Sequence, residues 1–360
     1  MKRIFYFDFL RALAIIGIIF CHASTQFVVL DIGSVNFYFS AFFDCFRDFC
    51  VPAFVMLSGA LLIGKKDSLI SFFKKRLSRI FIPFLFWYVI YVIYSFFKIK
   101  HNIDLNNALN IFLGKSGTLG VAFWFIWMII IVYLAIFAIN KIIEFGDRKT
   151  EGFKDKFLKI LTVLSLVYII LYQFNFLPDA IYKQILGYYI SFISYAIIGY
   201  FIANNDFIQK RIDSTKLALI TLILFAFSYI YYIINFVVAK SLIYNHFMYL
   251  SYFNISILFI SICFFLMFKY SSETQFFKKL ENSKYGDMVI ELSKYSYGIY
   301  LAHYVVLFEL KRFVYFNIGS NYMNSIIAIP AYVLVTLAIT VAILWVLNRI
   351  PYINRISGKA

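Results

Sequence analysis

Asp8, Arg11 and His22 stand in a stretch, FDFLRALAIIGIIFCHAS (7–24), that is otherwise almost wholly apolar. On an α-helix the eleven residues from Arg11 to His22 turn through about 1100°, three turns plus roughly 20°, and rise about 16 Å. The two side chains therefore share one face. Asp8 lies one turn before Arg11 on nearly that face, placed to pair with it. Histidine is the side chain whose charge changes near neutrality, so this constellation has the means to take up a proton. Ionisable residues inside a membrane are rare and mark functional sites. The plainer reading makes Arg11 a snorkelling anchor and His22 a helix–helix contact.

The elements that would position these residues are membrane helices. The chain has 360 residues, is 63% hydrophobic and only 14% charged, with a mean hydropathy of +0.82. Soluble domains are nearer half apolar and a quarter charged. Residues 12–30 run without a charge, longer than the apolar core of a cleaved signal peptide, and many similar runs follow. The four cysteines (Cys21, Cys45, Cys50 and Cys263) form no Cys-x-x-Cys pair, and neither a disulfide framework nor a metal site is expected.

Uncharged runs long enough to span a bilayer predict an all-α, polytopic membrane protein. Ten spans are expected, at 10–30, 37–63, 80–97, 121–143, 157–174, 188–204, 217–239, 249–268, 297–313 and 326–347. With the N-terminus in the cytoplasm, the inside segments hold 26 of the 34 Lys and Arg, and the outside loops with the outer span ends hold seven. The positive-inside rule then places both termini in the cytoplasm. The formal charge of +16 is explained by topology and anionic lipid, with no nucleic-acid partner. The whole of 1–360 reads as one transmembrane domain with no appended soluble domain. In the longest inside connection, KKLENSKYGDMVIEL (278–292) reads as a short amphipathic surface helix.

Other polar residues divide by depth. Asp44, Arg47 and Asp48 lie toward the outer side of the second span. They either line a functional site near the outer mouth or, for Asp44 and Arg47 at i,i+3, neutralise each other. Glu309 is expected near the outer interface, and His101 and His246 in solvated outer loops. Trp87, Trp124 and Trp127 read as packing and interface anchors. GKSGT (114–118) echoes a phosphate-binding loop, but Leu109 stands where that motif needs an earlier Gly. A His-x4-Asp motif is absent too, since Phe27 follows five after His22.

Five segments in order carry a family resemblance. The first is the Asp8/Arg11/His22 opening. VPAFVMLSGALL (51–62) follows, and then KRLSRIFIPFLFW (75–87) with its Arg-x-x-Arg at Arg76 and Arg79. FWFIWMIIIVYL (123–134) and YSYGIYLAHYVV (295–306) complete the set. Together they resemble acyltransferase family 3, transmembrane enzymes that O-acylate cell-surface polysaccharides. One departure is plain: many members have a histidine where Ala122 stands, so no role is carried over to it.

The resemblance implies an O-acyltransferase of the inner cell membrane with acyl-CoA, expected to be acetyl-CoA, as donor substrate and no permanently bound cofactor. The acceptor would be a hydroxyl of a glycan or lipid-linked sugar. Acyl transfer from a thioester to a hydroxyl needs a base, the role expected of His22. Guanidinium suits phosphate, so Arg11, Arg76 and Arg79 are the expected CoA ligands, with Asp8 orienting Arg11. The 16 Å from Arg11 to His22 would accommodate the pantetheine arm. His303, in the Gly-Ile-Tyr-Leu-x-His segment, is expected to line the acceptor site with Asp44, Arg47 and Asp48. Without the resemblance, Arg76 and Arg79 read first as a positive-inside belt. The competing function is a transporter or exporter of a glycan or small anion, which inverted repeats or Gly/Pro-interrupted helix pairs would favour. Neither pattern stands out. A non-catalytic assembly partner comes third.

Overall fold

The computed structural model describes residues 3–28, 33–98, 104–173, 181–206, 209, 211–242, 254–318, 324–351 and 357–358. It is all-helical, with no strand among the described residues. In chain order the α-helices are α1 (Phe5–Val28), α2 (Val35–Asp44), α3 (Phe46–Leu62), α4 (Leu69–Phe72), α5 (Ser78–Lys98), α6 (Leu105–Leu113) and α7 (Trp124–Asp147). Then come α8 (Phe153–Gln173), α9 (Ile181–Asn204), α10 (Ser214–Leu242), α11 (Ile255–Ser271), α12 (Gln275–Glu281), α13 (Lys284–Ile318) and α14 (Ser325–Leu347). A π-helical turn, Phe73–Leu77, leads into α5 and a 3₁₀ turn, Val121–Phe123, into α7.

Each of the ten expected stretches coincides with helix. By length and apolarity, however, six helical segments could cross a membrane, or seven if α11 and α12, bent by 82°, count as one broken span. Residues 29–30, 174 and 249–253 of the expected first, fifth and eighth spans, and His101 and His246, lie outside the described residues.

The second span carries a turn at Cys45 between α2 and α3, and Val35–Leu62 still makes one candidate span. One local expectation is corrected: the 278–292 stretch is not one helix. α12 stops at Glu281, and Ser283 Oγ accepts the Gly286 amide at 3.3 Å to start α13. A serine at a helix start takes up an amide that has no intrahelical partner, so the chain restarts there.

The fold comprises two compact units interleaved in sequence. The first holds Met1–Ala14, Cys45–Asp67 and Ile131–Ile290; the second holds Ile15–Asp44, Ser68–Ile130 and Glu291–Ala360. Helices α1, α7 and α13 contribute to both.

In the first unit α3 and α9 meet through glycine. A Cβ on Gly59 would fall 1.8 Å from the Ala196 carbonyl oxygen, and one on Gly199 2.3 Å from that of Met56. Membrane helices associate by such close backbone approach, since lipid supplies no hydrophobic drive between them. Phe9 packs against Phe268 and Phe277, each at 5.2 Å between ring centroids. Lys269 of α11 donates to the Ile202 and Asn205 carbonyls and to Asp206, closing the C-terminal end of α9 with a cation.

In the second unit GKSGT is a helix stop. Gly114 takes φ +70°, its amide donates to Ile111 O and that of Lys115 to Asn110 O. This doubly bonded left-handed cap satisfies the last carbonyls of α6. Trp127 Nε1 donates to Phe112 O at 2.9 Å, and Asn36 Oδ1 accepts from both the amide and the hydroxyl of Ser325, tying α2 to the start of α14.

Candidate active site

Within the second unit the far part of α1 packs on α13. The His22 ring lies 5.3 Å from that of His303 between centroids, inclined by 35°, and 5.1 Å edge-on from Tyr304. His303 is fully buried. Its Nδ1 faces two carbonyl oxygens of its own helix, Tyr300 O at 2.6 Å and Ile299 O at 3.2 Å. A carbonyl only accepts, so Nδ1 carries the hydrogen and Nε2 the lone pair. Among the described residues Nε2 has no hydrogen-bond partner.

The frame around this pair is held by tyrosines. Tyr91 donates to Leu301 O at 2.9 Å and accepts from the Val305 amide at 3.2 Å, bracketing His303 on α13. Tyr300 donates to the carbonyl of Ala122, so the position that departs from the family pattern still contributes a backbone contact.

One helical turn along, α1 and α2 share a second polar group. Thr25 Oγ1 donates to Asp44 Oδ1 at 3.3 Å, and the Cys21 thiol points to the same oxygen at 3.9 Å. Lys311 donates to the His22 carbonyl at 2.6 Å and feels the charge of Asp44. Spacing did not mark Lys311, Thr25 or Cys21. Lys311 follows Tyr304 by seven residues, two helical turns, and that periodicity could have found it.

In the first unit Asp8, 4% exposed, has Arg3 as its closer partner. Arg3 forks onto both carboxylate oxygens at 2.6 and 2.9 Å, while Arg11 Nη1 stands 3.5 Å away. The expected Asp8–Arg11 pair exists, but the tighter bond goes to a residue before the helix starts. Elsewhere in this unit Arg47 Nε donates to Asp48 Oδ1 at 3.2 Å, and Tyr232 donates to its other oxygen at 2.9 Å. The residues Asp44, Arg47 and Asp48, grouped in sequence, thus divide: Asp44 belongs to the second unit, Arg47 and Asp48 to the first. Arg76 lies half-buried in the π-helical turn and Arg79 exposed in the first turn of α5. Widened turns of this kind recur at functional sites.

The chain matches an acyltransferase domain over residues 4–345. It belongs to acyltransferase family 3. No curated protein and no solved structure matches it. As a member of this family the protein is a membrane acyltransferase that transfers groups other than aminoacyl groups. The match takes in both units, and with them every candidate residue described above. What the second unit offers such an enzyme is one imidazole, His22, beside a second, His303. What the first offers is guanidinium held by carboxylate.

Proposed function

We infer that the transferred group is acetyl, delivered as acetyl-CoA, and that the acceptor is a hydroxyl of a cell-surface glycan or lipid-linked sugar at the inner cell membrane. The observation that carries this reading is the seating of His22 against His303 inside a membrane acyltransferase. A base at that place takes the hydroxyl proton as the oxygen attacks the thioester carbonyl, and the thiolate then leaves. His22 is that base. Arg11, oriented by Asp8, and Arg76 and Arg79 hold the CoA phosphates, for which a planar fork of donors is suited. Asp44, Arg47, Asp48 and His303 receive the acceptor.

The reading includes ten membrane spans with both termini cytoplasmic, which the 26-to-seven distribution of basic residues supports. Reporter fusions should find the 98–120 loop outside; a cytoplasmic signal there would reject this topology. For the reaction, membranes supplied with radiolabelled acetyl-CoA should yield an alkali-labile acetyl ester on glycan only when the protein is present. Label entering glycan equally without it would sink the assignment.

A further inference from the structure

His303 has a feature that acceptor binding alone leaves unexplained. Its ring is fully buried, its Nδ1–H is committed to the Tyr300 carbonyl at 2.6 Å, and its Nε2 lone pair meets no donor among the described residues. A buried acceptor without a partner costs stability, and proteins keep few of them. The neighbouring ring is that of His22, 5.3 Å between centroids, close enough for nitrogen-to-nitrogen hydrogen bonding once the two rings turn edge to edge.

We propose that Nε2 of His303 accepts from the N–H on the ring nitrogen of His22 that faces away from the substrate, so that the imidazolium formed on His22 is steadied by a neutral imidazole. This rests on the acyl-transfer reading above. The hydroxyl oxygen bonds to the thioester carbonyl carbon and its proton passes to the substrate-facing nitrogen of His22. The N–H on the other nitrogen of His22 is held by His303 Nε2. The carbon–sulfur bond then breaks, the departing thiolate takes the proton from His22, and both imidazoles return neutral. His303 is thus a positioning residue, acting as a third group acts on the histidine of a hydrolase triad, but without a charge of its own. A neutral partner needs no counter-charge of its own, whereas a carboxylate buried at that place would need one. Tyr91, bonded to α13 on either side of His303, fixes the height of the ring.

The test uses two variants of the full-length protein in detergent or vesicles, with acetyl-CoA as donor and membrane glycan as acceptor. In His303→Asn the side-chain amide retains a donor at the place of Nδ1 but has nothing at Nε2. In His303→Gln the longer amide restores an acceptor near Nε2 and abandons the Tyr300 carbonyl. The expected order of kcat is wild type, then Gln, then Asn, with Asn down on the order of 10²-fold and the KM for acetyl-CoA unchanged. A purely structural role, in which the Nδ1 bond matters, reverses the order of the variants. That reversal, or equal kcat for Asn and wild type, overturns the proposal while leaving the acyl-transfer reading intact. Wild-type protein that transfers no acetyl group overturns that reading first. Should either variant fail to insert, nitrogen NMR of wild-type protein with labelled histidine decides. Nε2 of His303 bare and Nδ1 protonated supports the proposal, and the opposite tautomer rejects it.

Discussion

The two ends of α1 solve different problems with different chemistry. Near its start, Asp8 takes a forked bond from Arg3 and a longer contact from Arg11, an arrangement of full charges whose arginines reach toward water. Near its end, His22 lies between the rings of His303 and Tyr304, with backbone carbonyls and phenols in place of carboxylate at the ring pair. On the acyl-transfer reading, the paired charges around Asp8 would meet the charged donor and the two imidazoles would handle the proton. One helix would then separate recognition from chemistry by how far along it each polar residue is placed.

If that division holds, damage at the histidine end should strike turnover and spare donor affinity. His22→Gln is the largest effect expected. Glutamine is close in size and keeps a polar head, but it cannot take a proton. Loss of general-base catalysis removes about 10²–10⁴-fold in rate. Acetyl transfer should fall to background while isothermal titration with CoA is unchanged. Loss of CoA binding in this variant would break the comparison, because recognition would then reach down to His22.

Damage at the arginine end should do the reverse. Arg11→Lys and Arg76→Lys keep the charge but remove the planar fork. A charge-assisted hydrogen bond contributes about 1.5–3 kcal/mol, so affinity for CoA should drop by roughly tenfold or more in each. kcat at saturating donor should stay within a few-fold. If both variants bind CoA as tightly as wild type, these arginines belong to the positive-inside belt and the recognition half of the contrast fails.

The comparison also shows what could be read from residues alone. Long uncharged runs declared the helices, and the shared face of Arg11 and His22 declared the helix to watch, because both follow from local periodicity. Arg3 as the forked partner of Asp8 was hidden: it precedes the helix, where the i,i+3 grid does not apply. The turn at Cys45 carries neither Gly nor Pro, and Cys45 keeps near-helical angles, so nothing in composition announces it. Far-separated contacts such as His22 with His303 were legible only through the family resemblance, which flagged both segments without joining them.

Lys311 gives the smallest effect and the finest test of the contrast. It is a cation on the histidine side of the molecule, donating to the His22 carbonyl at 2.6 Å with Asp44 as a nearby opposite charge. If the chemistry at this end depends on neutral groups, this charge is structural: it steadies the backbone of α1 and offsets Asp44. Lys311→Met keeps the length of the side chain and removes both donor and charge. One lost hydrogen bond is worth about 1 kcal/mol, so kcat should fall less than tenfold and the melting temperature by a few degrees. Asp44 is buried and within reach of the Lys311 charge, so removing the lysine alone leaves that carboxylate less compensated. The double variant Lys311→Met, Asp44→Asn should therefore recover most of the lost thermal stability. A drop in kcat for Lys311→Met as deep as that for His22→Gln, unrepaired in the double variant, would mean that a charge does take part in the chemistry. The histidine end would then resemble the arginine end, and place along α1 would not be what separates their tasks.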